Sequence, residues 1–207
     1  MLKIENTEVT GWESALRGMR NPLNSWARAD TAYRNTVPEI GQNDLQLMNK
    51  LASAGPVHAK YRRMIVVYAD ITAPLYWWKQ FDTYKVGTIS NSCSTMHKIA
   101  DSPITMKDFS AEHLGVPGRA VLKNIVDTLD YYRETYTRTQ NKADWWQIIQ
   151  LLPESYNQRR TIMINYENLS AMYRDRRNHK LDEWHVFCDW VENLPYSEVI
   201  TGGAGSN

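Results

Sequence analysis

Long apolar runs are missing from this 207-residue chain, and none approaches the roughly 18 consecutive apolar residues that cross a bilayer. The opening MLKIENTEVTGW also lacks the apolar core of a signal peptide, so a cytoplasmic protein without membrane contact is expected. Cysteine is scarce. Cys93 and Cys188 lie far apart with no CxxC or zinc-ligand spacing, which excludes a disulfide scaffold and a structural metal and fits a reducing compartment. Excess charge is absent too: 24 Lys and Arg stand against 23 Asp and Glu, for a formal net charge of +1. General nucleic-acid binding needs a basic surplus, so any anion site must be local. No Gly-rich phosphate loop, Ser-His-Asp order, HExxH or internal repeat occurs. His97 and His113 flank a loop without carboxylate or thiol partners at ligand spacing, and no metal site is expected.

What is present is aromatic. Eight Trp and twelve Tyr give large side chains with polar tips, suited to pockets and subunit interfaces as well as cores. The length suits one domain, placed at 1–198, and the Gly- and Ser-rich end, 199–207, is expected to be a disordered tail. Thr10 with Glu13 makes a capping-box pattern ahead of WESALRGM, and Asn43 or Asp44 can cap LQLMNKLASA, which stops at Gly55. Arg63 to Thr72 is rich in β-branched residues and reads as a strand feeding a helix entered through Pro74, which would bury Leu75, Trp78 and Phe81. Helical spacing returns in Arg119 to Thr137, in ADWWQIIQLL, in YENLSAMYRDRR after a strand at Arg159 to Asn165, and in Leu181 to Asn193. The fold class is helix-rich α+β.

Two features carry chemistry. Arg159 to Lys180 holds six basic residues against two acidic ones, and Arg174 and Arg177, three apart on one helical face, have the spacing to grip a phosphate. The other reading of those charges is a solvated face paired with the acidic helix that follows. The second feature is the polar run DTYKVGTISNSCSTMHK, directly after PLYWWKQF, whose hydroxyls and amides either cradle a ligand or cap helices and turns. His185 and Cys188 share a helix face that Trp184 and Phe187 make apolar, which argues against a nucleophile and base pair there.

The order of strand, P…Q with aromatics, polar run, then N…L…R and a short amphipathic helix resembles the flavin-dependent thymidylate synthases from about Gly11 to Trp190. At the family's Arg-His-Arg-x-x-Ser signature this chain has Thr83, Tyr84 and Lys85, with Thr88 for the serine. Asn165 matches a family Asn at a strand end, and Arg176 falls at the spacing of a nucleotide-holding Arg, with Arg177 next to it. A one-residue shift places Glu183 on a family Glu and His185 on the Arg that polarises the pyrimidine. At an earlier family element, Gly55 and His58 are kept, but Lys60 and Tyr61 stand where Glu and His are expected.

The resemblance implies a homotetramer with sites between subunits, a nucleotide-shaped cavity, and a place for FAD. The departures imply lost chemistry. Histidine lacks the five-donor fork of arginine and is only fractionally charged at neutral pH, so no catalytic residue is assigned. The implied nucleotide-binding set is Tyr84, Lys85, Thr88, Ser90, Asn91, Ser92 and Ser94 from the polar run, with Asn165, Arg174, Arg176, Arg177 and His185; Tyr84 or Trp77 offers a stacking plane. The function expected is capture or sequestration of a nucleotide or nucleotide signal, as by a virus- or phage-encoded decoy. The alternatives are a divergent FAD-dependent enzyme converting dUMP to dTMP, and a structural or partner-binding protein without a small ligand.

Overall fold

The computed structural model describes residues 2–202. Its first half runs β1 (Lys3–Thr10), α1 (Trp12–Arg20), α2 (Gln42–Ser53), β2 (Val66–Pro74), α3 (Leu75–Phe81), β3 (Ile89–Ser92) and α4 (Thr95–Lys98). The second half runs α5 (Val116–Thr139), α6 (Lys142–Leu151), β4 (Asn157–Asn165), α7 (Tyr166–Arg176), α8 (Asp182–Glu192) and α9 (Glu198–Thr201). The strands form one sheet in the order β1-β2-β4-β3, so the fold is the expected helix-rich α+β. The Tyr166 amide donates to the Ile65 carbonyl and the Leu75 amide to the Tyr156 carbonyl, a register that makes β2 and β4 antiparallel. Along β2, Val67, Ala69, Ile71 and Ala73 are buried while Tyr68 is exposed, the period-two alternation of a strand with one covered face. The chain divides into two compact units, one of 71–83 and 91–160 with the start of β1, the other of 4–70, 84–90 and 161–202.

In the first unit, α5 and α6 form a helical hairpin. Gln140 turns the chain with φ +55, and the Asn141 side chain accepts from the Ala143 amide to cap α6. Leu122, Val126 and Leu129 of α5 pack with Ile148 of α6 and with Ile99, Ile104 and Phe109. Pro74 stands at the N-cap of α3, as expected, but the buried aromatics are Trp77, Trp78 and Phe81, while Leu75 is only half-buried. The Trp78 indole N–H donates to the Gln158 carbonyl, and Arg160 lies 4.2 Å over the Trp78 ring with its charge met by Asp82.

The second unit departs from the expected caps. Gly11, not Thr10, precedes α1; it has φ +88, and a Cβ there would sit 2.0 Å from the Met64 carbonyl oxygen, so only glycine fits. Glu13 is free to pair with Arg17 instead, at 3.6 Å. Nor do Asn43 and Asp44 cap α2: their amides are bonded by the Asp30 carboxylate at 2.8 and 3.0 Å, and the Asn43 amide above all holds that carboxyl below its ordinary range. Asp44 is buried in an ion pair with Arg20 at 2.6 Å. Trp12 on α1 sits edge-on to Tyr166 and Tyr196, each 5.5 Å away. Arg62 ties α9 to α7 by pairing with Glu167 at 2.7 Å and donating to the Val199 carbonyl. Val199 and Ile200 are buried, so the expected tail does not begin at 199; its remainder, 203–207, lies outside the described residues.

Candidate functional site

Within the second unit, the segment from Tyr84 to Ser90 is seated on α7. Asn165 ends β4 and caps α7, its side-chain oxygen accepting from the Asn168 amide at 2.9 Å. Asn168 then donates through Nδ2 to the Val86 carbonyl at 2.6 Å. Gly87 lies against this turn with φ +77; a Cβ would come within 2.7 Å of Asn168 Oδ1 and 3.0 Å of Asn165 Nδ2. At the other end of the segment, Arg176 Nε donates to the Tyr84 hydroxyl at 2.9 Å. The Arg176 guanidinium lies 5.4 Å from the Tyr84 ring and 4.9 Å from that of Trp184, so two aromatic faces hold one cation. Trp184 is fully buried on α8, and the His179 ring stands 6.4 Å from it.

His179 is held in its neutral form. Its Nδ1 accepts the Leu181 amide at 3.1 Å, and burial first, then the charges of Arg176, His185 and Lys180, push its pKa below the ordinary histidine range. With the folded pKa lowered, the unfolded chain takes the proton first as pH falls, so the contribution is complete above the ordinary range and lost below it. Thermal melts from pH 8 to 5 are expected to fall for the parent and to fall less for His179→Asn, whose Oδ1 accepts the same amide without titrating. Equal slopes would remove His179 as the source.

Arg174 and Arg177 lie elsewhere. With Arg62, Glu167 and Ser170 they line an open cavity of about 360 Å³ bordered also by residues of α2 and α9, which Arg176 does not line. Arg174 and Arg177 share this lining, as their spacing on one helical face leads one to expect, and Arg176 is not part of it. Two of the expected hydroxyls, those of Thr88 and Ser94, are engaged by the protein itself. Lys85 and Ser90 are exposed, and Thr88 turns its hydroxyl to the Tyr84 carbonyl. Asn91 and Ser92 are exposed on β3, and Ser94 caps α4 by accepting from the His97 amide. Ser94 and Asn165 thus do the capping that short polar side chains perform beside backbone N–H groups. Trp77 is fully buried and offers no stacking plane, which leaves Tyr84. His185 is about half exposed, its Nδ1 3.7 Å from Asp182. Cys188 is buried, and burial pushes its thiol up to about 11, so it is protonated at neutral pH and no nucleophile. Trp184 and His179 join the cluster unannounced; neither follows a spacing rule, because both reach it from beyond the end of α7.

Among the described residues, no group of three or more His, Cys, Asp or Glu could hold a metal ion, and no helix is long and apolar enough to cross a membrane. No protein-family model and no curated protein matches the chain. Solved structures do. A flavin-dependent thymidylate synthase, ThyX, from Helicobacter pylori complexed with FAD and dUMP is 15% identical with a TM-score of 0.71, covering 95% of this chain and 96% of that one. A second Helicobacter pylori ThyX structure with FAD and dUMP gives 14% identity and a TM-score of 0.70 over 96% of each chain. The UMP/dUMP methylase PolB from Streptomyces cacaoi, bound with 5-Br dUMP, is 13% identical with a TM-score of 0.63, covering 98% of this chain and 95% of that one. The chain has the fold of these proteins.

Proposed function

We propose that this chain binds a nucleotide of the uridylate class on a ThyX-like fold without carrying out thymidylate synthesis, and that it acts by capturing its ligand. The observation that carries the reading is the Arg176–Tyr84 junction. It joins the two segments that resemble the family, the polar run and the end of α7, into one aromatic-cationic cluster with Trp184 behind it. Tyr84 supplies a plane for a base, and Arg176 and Lys85 supply charge for a phosphate. The neighbours of this fold were solved with dUMP or its 5-bromo analogue, which supports that ligand class. The lost reaction follows from chemistry: reduced flavin passes a hydride to a pyrimidine whose developing charge needs several cations, and Thr83, Tyr84 and Lys85 leave one at the signature. Capture of a free nucleotide or nucleotide signal, as by a phage-encoded decoy, needs no such charge.

Titration of the purified protein with dUMP tests the reading. Binding is expected, with Arg176→Ala costing about 1.5–3 kcal/mol, roughly ten- to a hundredfold in affinity, as for a hydrogen bond to a charged group. With reduced flavin and a methylene donor, no dTMP should form. A flavoenzyme is the second reading, favoured by the FAD in two of the neighbours. A flavin spectrum together with dTMP that vanishes in Arg176→Ala would establish it in place of ours, and absence of both nucleotide and flavin would leave a partner-binding protein. We also infer a homotetramer with sites between subunits; light scattering that returned a single-chain mass at micromolar concentration would end that inference.

A further inference from the structure

We propose that the cavity lined by Arg174 and Arg177 is an anion site in its own right, taking a phosphate or phosphate monoester, and that it works independently of the Arg176–Tyr84–Trp184 cluster. Helical geometry explains why the two arginines act together. One residue of α-helix turns by about 100 degrees, so positions three apart share a face and the position between them nearest Arg177 does not. Arg177 continues the helical backbone past the last turn of α7, with φ −55 and ψ −26, which keeps it in register with Arg174.

The charge inventory of the cavity favours an anion. Among the described residues its one lining carboxylate, Glu167, is already engaged by Arg62, which approaches it through Nε at 2.8 Å and through a terminal nitrogen at 2.7 Å. That pair cancels, and Arg62 spends further donors on the Ser170 hydroxyl and the Val199 carbonyl. Asp175 lies outside the lining, 3.4 Å from Arg174 Nε, with both side chains largely in solvent at 47% and 75% exposure, where such a pair holds little energy. Arg177 lies 5.7 Å over the Tyr173 ring, and the Tyr173 hydroxyl is bonded to Glu192 at 2.6 Å, so that acid is held by the tyrosine. Among the described residues, two guanidiniums therefore border about 360 Å³ of space with no lining carboxylate left to match their charge. The remaining walls mix apolar Ala52, Pro56, Ala171 and Ile200 with Ser53 and Thr201, whose hydroxyls are neutral groups able to donate to an oxyanion beside the two guanidiniums. The planar arginine fork meets two oxygens of a tetrahedral phosphate at once, which selects an oxyanion over a halide.

Calorimetric titration with inorganic phosphate, in a buffer free of other oxyanions, tests the site. Binding is expected in the millimolar range or tighter. Arg174→Ala and Arg177→Ala should each weaken it roughly ten- to a hundredfold, while Arg176→Ala changes it by less than about twofold. Both arginines are exposed on the helix surface, so the variants should melt with the parent. No heat at millimolar phosphate, unchanged affinity in both variants, or equal loss in Arg176→Ala would each overturn the proposal. Parallel titration with dUMP separates it from the nucleotide reading. Loss of dUMP affinity in Arg176→Ala alone leaves both sites standing, whereas loss only in the Arg174 and Arg177 variants removes the cluster and keeps the cavity.

Discussion

Asp44→Ala is expected to lower the unfolding free energy by about 3–5 kcal/mol, the cost of leaving a buried charge without its partner. Arg20 and Asp44 are exposed by only 4% and 1%, so solvent cannot take over from either partner. Asp44 does more than balance a charge. One carboxylate oxygen meets two nitrogens of Arg20, and the other accepts from the Thr31 hydroxyl at 2.6 Å and from the amides of Asp30 and Thr31 at 3.1 Å. Arg20 in turn donates to the carbonyls of Ser25 and Arg28. The pair thus pins the irregular stretch between α1 and α2, and Asp30 within that stretch caps α2. An isolated buried ion pair can often be replaced by apolar residues at no loss. Here the double variant Arg20→Met, Asp44→Leu should still be destabilised, because four backbone groups lose their partners. Urea denaturation measures both, read as a lowered midpoint at unchanged slope. A double variant as stable as the parent would show that the backbone bonds contribute nothing and that the pair is dispensable.

Periodicity made much of the fold legible. Trp12, Ala15, Leu16 and Met19 repeat at three and four, as do Trp184, Phe187, Cys188 and Val191, and each set proves to be one buried helix face. β2 and β4 announced themselves by β-branched runs. β1 could not, because KIENTEVT buries Val9 alone and owes its strand to pairing with β2, beside which Asn6 bonds Asp70. β3 is exposed along its whole length, so ISNS reads as a loop. The caps of α1 and α2 were misread for a related reason: the Met64 carbonyl and the Asp30 carboxylate arrive from distant parts of the chain. The helix expected after the strand ending at Asn165 does run from Tyr166 to Arg176, with Asn165 as its cap. The same helical geometry that pairs Arg174 with Arg177 forbids Arg176 from joining them. Trp184 and His179 required the packing of α8 on α7, which no local pattern encodes.

Trp184→Ala should have the other large effect, about 3–5 kcal/mol, since an indole with no exposed surface leaves a cavity that its neighbours only partly fill. Its ring touches Phe187 at 5.4 Å between centroids, and Tyr84 and His179 at 6.4 Å, so the loss falls on α8, on the polar segment and on the turn after α7 together. Stability alone would not connect this residue with a ligand. Trp184→Phe makes the connection, because a phenyl ring keeps an apolar body and a π-face under Arg176 while losing part of the volume. Its melting temperature should drop less than that of the alanine variant, and its dUMP affinity should stay within a few-fold of the parent. In the alanine variant, measured where it remains folded, Arg176 retains Tyr84 but loses its second ring, and dUMP affinity should fall because the guanidinium is no longer held in one position between two aromatic faces. Should Trp184→Phe lose as much dUMP affinity as Arg176→Ala while melting with the parent, the indole itself contacts the ligand and the role given to Arg176 passes to it.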